Sequence, residues 1–88
     1  MFDNRWQVKT LDTRTGSVLC TTEMPNLEGF GLPSLGYRYE SCLFLPCGDS
    51  DVLARYDDQA AALEGHERLV QERMGSELDT QQGVTQED

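Results

Sequence analysis

Four side chains in this chain carry the chemistry of soft metal ligands and nucleophiles: Cys20, Cys42, Cys47 and His66. Three thiolates and one imidazole would satisfy a tetrahedral zinc ion, but structural zinc sites draw on tight Cys-x2–4-Cys knuckles at loop tips. Cys42 falls inside a run that alternates like a strand, and Pro46 separates it from Cys47. A Cys–His nucleophile is the other option. Cys47 beside Gly48 is the best thiol for it, and His66 is the sole imidazole. Nothing supplies an oxyanion site, and a chain this short leaves little room for a deep pocket. We therefore expect no catalytic residue, no metal and no cofactor. Cys20 and Cys42 are expected in the core, with Cys47 the most exposed. A small zinc-binding regulatory domain stays as an alternative.

The carboxylates are the second group. Asp49, Asp51, Asp57, Asp58, Glu64 and Glu67 crowd one stretch of chain, opposed only by Arg55. Spaced like phosphates, they could imitate nucleic acid. A capped helix start flanked by solvated turns has the same composition, and we favour that reading. Over the whole chain, 16 acidic residues against 7 basic ones give a net charge of −9. That disfavours nucleic acid and anionic membrane as partners, since both need basic surface, and we expect neither. It leaves basic proteins.

These groups must be held by a small body. The chain has 88 residues, enough for one domain. A domain of this size buries only about 60–65% of its unfolded surface, so the core is small. Three cysteines, an odd number, fit a reducing compartment better than a disulfide scaffold. The first residues show no charged segment leading into an apolar run, and the longest apolar run, Cys42 to Cys47, is far short of a membrane span. A cytosolic protein is expected.

Residues 6–11 and 17–22 alternate apolar and polar side chains, and the turn between them contains Gly16, which accepts a positive φ. They predict a hairpin. Residues 37–45 and 51–56 alternate likewise around Pro46 and Gly48 and predict a second one, with Val52, Ala54 and Tyr56 sharing a face. Asp57 or Asp58 can cap a helix running from Gln59 to about Met74, with Gly75 as its stop. Ala62, Leu63, His66, Leu69, Val70 and Met74 recur on one face of it. Gly65 costs that helix about 1 kcal/mol, so a neighbour must approach there. His66 is expected to bond a backbone carbonyl or a tyrosine hydroxyl between helix and sheet. Residues 76–88 hold four acids and no base, and read as a disordered tail whose removal changes little. The expected fold is α+β: a four-stranded antiparallel sheet of two hairpins, with one C-terminal helix on one face. One ββββα domain would span 1–75, with the acidic tail over 76–88.

Residues 23–36 keep neither period and hold Pro25, Gly29, Gly31, Pro33 and Gly36. Such a loop has five large apolar members, Met24, Leu27, Phe30, Leu32 and Leu35, and no regular structure to bury them. We expect Met24, Leu27, Phe30 and Leu32 to anchor a protein partner, and Asp49, Asp51, Asp57 and Asp58 to steer it.

The second half also resembles a family. Tyr39-Glu40 and Phe44, then Arg55-Tyr56, then Gly65-His66-Glu67 and Val70 are similar to small proteins of actinobacterial phages and related bacterial genomes. Those proteins carry an aromatic-Glu-Thr-Met-Val-Phe strand, an Arg-Tyr-x-Thr segment and a Glu-Ala-x-x-Gly-His-x-x-x-Val helix. Trp6, Val8, Thr10 and the Ser17-Val18 strand fit as well. Here Ser41-Cys42-Leu43 stands in place of Thr-Met-Val. The resemblance implies a phage accessory protein, located in the cytoplasm of an infected host or in the virion, and brings no catalytic residues. Its expected function is protein–protein binding, with inhibition of a host enzyme or defence component as the sharpest form. A minor virion or assembly role is the alternative, as is a homodimer through the sheet face that the helix leaves open.

Overall fold

The computed structural model describes residues 5–25, 27–33 and 36–84. Two short turns and one longer connection join the first four strands: β1 (Trp6–Asp12), β2 (Val18–Glu23), β3 (Tyr39–Phe44) and β4 (Ser50–Tyr56). The helix α1 (Gln59–Arg73) follows, and then a fifth strand, β5 (Leu78–Val84). All five form one antiparallel sheet in the order β4-β3-β2-β1-β5.

The fifth strand corrects the expectation of four strands and a disordered tail. Seven residues of β5 pair with β1 without a break, from Trp6 opposite Val84 to Asp12 opposite Leu78. The segment is polar and has almost no apolar alternation, so no buried face announces it. Main-chain hydrogen bonds to β1 hold it instead. Residues 85–88 lie outside the described residues.

The helix enters at one end of the sheet and leaves at the other. Asp58 caps it with extended backbone, its carboxylate accepting from Ala61 N at 2.7 Å. At the far end Asp12 is the fastener. Its carboxylate accepts from Gly75 N at 3.1 Å and from Arg14 N at 3.0 Å. These bonds, that from Gly75 first, hold its carboxyl below the usual range. Thr13 adds two bonds to the carbonyl of Glu77, from its N–H at 2.9 Å and its hydroxyl at 3.0 Å. The β1–β2 turn is thus tied to the segment that feeds β5. Gly16 in that turn takes a φ of 82°.

The core lies between sheet and helix. Trp6, Val8, Leu19, Tyr39 and Ala62 are its buried apolar members, with Tyr56 and Leu63 packed against them. Trp6 meets Tyr39 edge to face, with ring centroids 5.7 Å apart. Of the expected helix stripe, Ala62 and His66 are fully buried, and Leu63, Leu69, Val70 and Met74 are half-buried. A β-carbon at Gly65 would overlap the Tyr56 ring, so the missing side chain is what lets the tyrosine lie on the helix.

A bulge corrects the facing of β4. Ser41 pairs with Ala54, but Cys42 pairs with Val52, which leaves Leu53 unpaired. Ala54 and Tyr56 face the helix, while Val52 is turned to the open side. Cys20 and Cys42 also correct the expectation. They pair directly across β2 and β3 on the open side and are half-buried there. The reason is parity: Leu19, Thr21 and Ser41 take the helix side, so their neighbours point away.

Candidate functional site

A continuous chain of side-chain hydrogen bonds runs under the helix. Thr80, Thr10, His66, Thr21, Ser41 and Tyr56 follow one another across the sheet, one residue from each of β5, β1, α1, β2, β3 and β4. Thr80 Oγ1 lies 2.9 Å from Thr10 Oγ1, and Thr10 Oγ1 lies 2.8 Å from His66 Nε2. On the other side His66 Nδ1 lies 2.7 Å from Thr21 Oγ1. Thr21 Oγ1 is 2.5 Å from Ser41 Oγ, which is 3.1 Å from the Tyr56 hydroxyl. Residue spacing could have found this. Thr10, Thr21 and Ser41 fall at inward positions of three strands, and a histidine at an inward helix position must meet them. The partners of His66 are threonines, and Tyr56 joins only through Thr21 and then Ser41, which corrects the partner expected for the imidazole.

Burial alone pushes the His66 pKa down from 6.5 to about 4, so the ring is neutral at pH 7. A neutral imidazole has one donor and one acceptor. Each hydroxyl has a single proton, so every bond in the chain must run the same way along it. In form the group resembles a hydroxyl nucleophile beside a base. It lacks access: Thr21 and Ser41 are 0% exposed and His66 is 2% exposed. Among the described residues no buried side-chain nitrogen or oxygen lacks a partner. The arrangement aligns five strands and a helix, with Thr10, Thr21, Ser41 and His66 closed off from solvent.

The soft ligands are kept apart. His66 lies on the helix side of the sheet, and both its nitrogens are engaged. Cys20 and Cys42 lie on the other side. Cys42 is 3.3 Å from Glu40 Oε1, and burial with this carboxylate raises its thiol to about 11. Cys47 is exposed in the β3–β4 turn, with its thiol 3.6 Å from Asp49 Oδ2. Among the described residues no three His, Cys, Asp or Glu side chains are grouped to hold a metal. Nor is any helix there long and apolar enough to cross a membrane.

The expected partner-binding residues fall into two groups. The β2–β3 connection is partly regular, with a 3-10 turn over Leu27–Phe30 closed by Leu32 N to Leu27 O at 3.0 Å. Met24 and Leu27 are half-buried. Phe30 is 77% exposed and Leu32 is 52% exposed. Leu35 lies outside the described residues. Asp57 and Asp58 sit at this same end, since Arg38 N bonds Tyr56 O where β3 begins and β4 ends. Asp49 and Asp51 do not. They stand at the other end of β4, roughly 20 Å away along the strand. The four aspartates are all exposed, yet they form two patches rather than one.

The open side of the sheet presents a further surface. Leu11, Val18 and Phe44 lie in one row across three strands, and Cys20, Cys42 and Val52 in the next. Beside them Arg55 is 3.4 Å from Glu40 and stacks on Tyr37 with its guanidinium 4.8 Å from the ring centroid. A groove of about 190 Å³ at the other edge is lined by Gln7, Lys9, Gln81, Gln82 and Gly83.

Comparison of the chain with protein-family models, with curated proteins and with solved structures found no match.

Proposed function

We propose that this chain acts by binding another protein through the end of the molecule that carries the β2–β3 connection. Phe30 is the observation that supports it. A phenylalanine 77% exposed on a hydrogen-bonded turn gains nothing for the fold, and exposed aromatics on a positioned turn are what protein interfaces use as anchors. Leu32 is exposed two residues on, and Met24 and Leu27 are half-buried in the same connection. Asp57 and Asp58 give this end an acidic side that steers a basic partner. Together with the resemblance to phage accessory proteins, this favours an inhibitor of a host enzyme or defence component.

The test is capture from lysate of an actinobacterial host by the tagged full chain. A stoichiometric host protein that is retained by the wild type and lost with Phe30→Ala plus Leu32→Ala supports the proposal. Equal retention by both chains, or no stoichiometric protein at all, overturns it.

A second reading, a virion or assembly component, has its own observation. Phe44 is 46% exposed and Val52 is 50% exposed on the uncovered sheet side, and such a side is a natural seat for a further subunit. Presence of the chain in purified particles would decide for it.

A further inference from the structure

The two edges of the sheet differ. β4 is interrupted by the bulge at Leu53 and carries Asp51 and Arg55. Bulges and charges of this kind block pairing with another chain. β5 has no bulge and fewer charges. Its seven residues, LDTQQGV, hold one charge, no proline and no lysine, and run in unbroken register. The helix lies over β1 to β4 and not over β5 among the described residues, so this edge is also uncovered from above.

The direction of its free main-chain groups can be worked out. Asp12 N bonds Ser17 O on the β2 side, and Thr13 N bonds Glu77 O on the β5 side. Alternation then turns Leu11, Lys9 and Gln7 towards β5, where their partners are Asp79, Gln81 and Gly83. Leu78, Thr80, Gln82 and Val84 therefore direct their N–H and C=O groups away from β1, into the open.

We propose that β5 pairs with β5 of a second copy of this chain, antiparallel, about a two-fold axis at Gln81. In this register Thr80 faces the second copy's Gln82, and Leu78 faces its Val84, all from outward-directed positions. About eight main-chain hydrogen bonds form. Asp79 faces Gly83, so the only charge on the strand meets no like charge. The chain is strongly acidic, with a net −9, and β5, with one carboxylate in seven residues, lets two copies approach with little repulsion. The contact joins two five-stranded sheets into one and makes their open sides continuous, and it does not depend on the loop carrying Phe30. A strand-to-strand contact is small, so the dimer is weak and depends on concentration.

Sedimentation of the full chain from about 10 µM to about 1 mM covers the range expected of so small an interface. It should show a monomer–dimer equilibrium. Gln82→Pro removes an outward N–H and leaves the β1 ladder intact; it should weaken association about tenfold or more. Gln82→Lys, which keeps the backbone donor and adds a charge at the edge, should weaken it as well. The register has its own readout. In a Cys47→Ser background, Gln81→Cys should cross-link to itself on mild oxidation, because the axis brings residue 81 opposite its copy. Gly83→Cys should not. A chain that stays monomeric throughout overturns the proposal. So does a dimer that survives both Gln82 variants and is lost with Phe44→Asp, which would place the contact on the open side. A cross-link at 83 and not at 81 overturns the register.

Discussion

His66 is an imidazole with no carboxylate in its network. If it is protonated, both ring N–H groups can still donate to Thr10 and Thr21, so the penalty is burial of the charge rather than loss of a bond. The sign of the pH effect follows. The unfolded chain binds a proton near pH 6.5 and the folded chain only near 4. Stability is therefore full above pH 6.5 and falls as the pH drops towards 4, by about 1.4 kcal/mol per unit at most. Chemical denaturation at a series of pH values should show this slope, and His66→Gln should flatten it at the cost of lower stability at pH 7. Asp12 acts in a lower window. Its depressed carboxyl contributes stability above the ordinary value of 3.8 that is lost as the pH falls through the folded pKa. Asp12→Asn should remove that further loss and leave the His66 slope in place. Gly65 makes a third case. Alanine would raise helix propensity by about 1 kcal/mol, but its β-carbon meets the Tyr56 ring. Gly65→Ala should therefore destabilise, by about 1–3 kcal/mol, as read from the urea midpoint.

Among the elements, β5 carries the clearest consequence. It completes the ladder on β1, and Thr80 closes the hydroxyl chain at Thr10. Truncation after Ser76 should lower the thermal midpoint and speed hydrogen exchange of β1 amides, most at Gln7, Lys9 and Leu11. A tail without structure would leave both unchanged. Truncation also removes Glu77, whose carbonyl holds Thr13, so the β1–β2 turn should loosen with it. The helix behaves differently because its hold on the sheet comes from one buried alanine, one histidine and half-buried leucines.

For the molecule as a whole, the two ends carry different groups. One carries Phe30, Leu32, Asp57 and Asp58, and the other carries Asp49 in the β3–β4 turn and Asp51 at the start of β4. If binding occurs where we propose, Asp57→Lys should slow association and weaken its salt dependence, whereas Asp49→Lys and Asp51→Lys should change little. Phe30→Ala should raise the dissociation rate, by about tenfold or more for an anchoring aromatic. Because Phe30 is exposed, it should leave the unfolding midpoint within about 0.5 kcal/mol of wild type. Surface-based kinetics with the captured partner separates these effects.

The first four strands and the helix were legible because each carries its own period. Alternation in residues 6–11 and 37–45, and the three-and-four spacing from Ala62 to Val70, are local consequences of which side faces the core. An aspartate cap at 57 or 58 and Gly65 as a point of close approach were legible for the same reason, and the structure selects Asp58. The exposure of Cys47 followed from its place in a turn. Three things were decided only by tertiary structure. β5 has no apolar face, so its existence rests on main-chain bonds to a strand some seventy residues earlier. The bulge at Leu53 shifts every facing beyond it, and a two-residue period cannot show an insertion of one. The separation of the four aspartates arises because β4 is extended and puts its ends at opposite ends of the sheet. Closeness along the chain sets a charge cluster in sequence, but the length of an extended strand sets the distance in space.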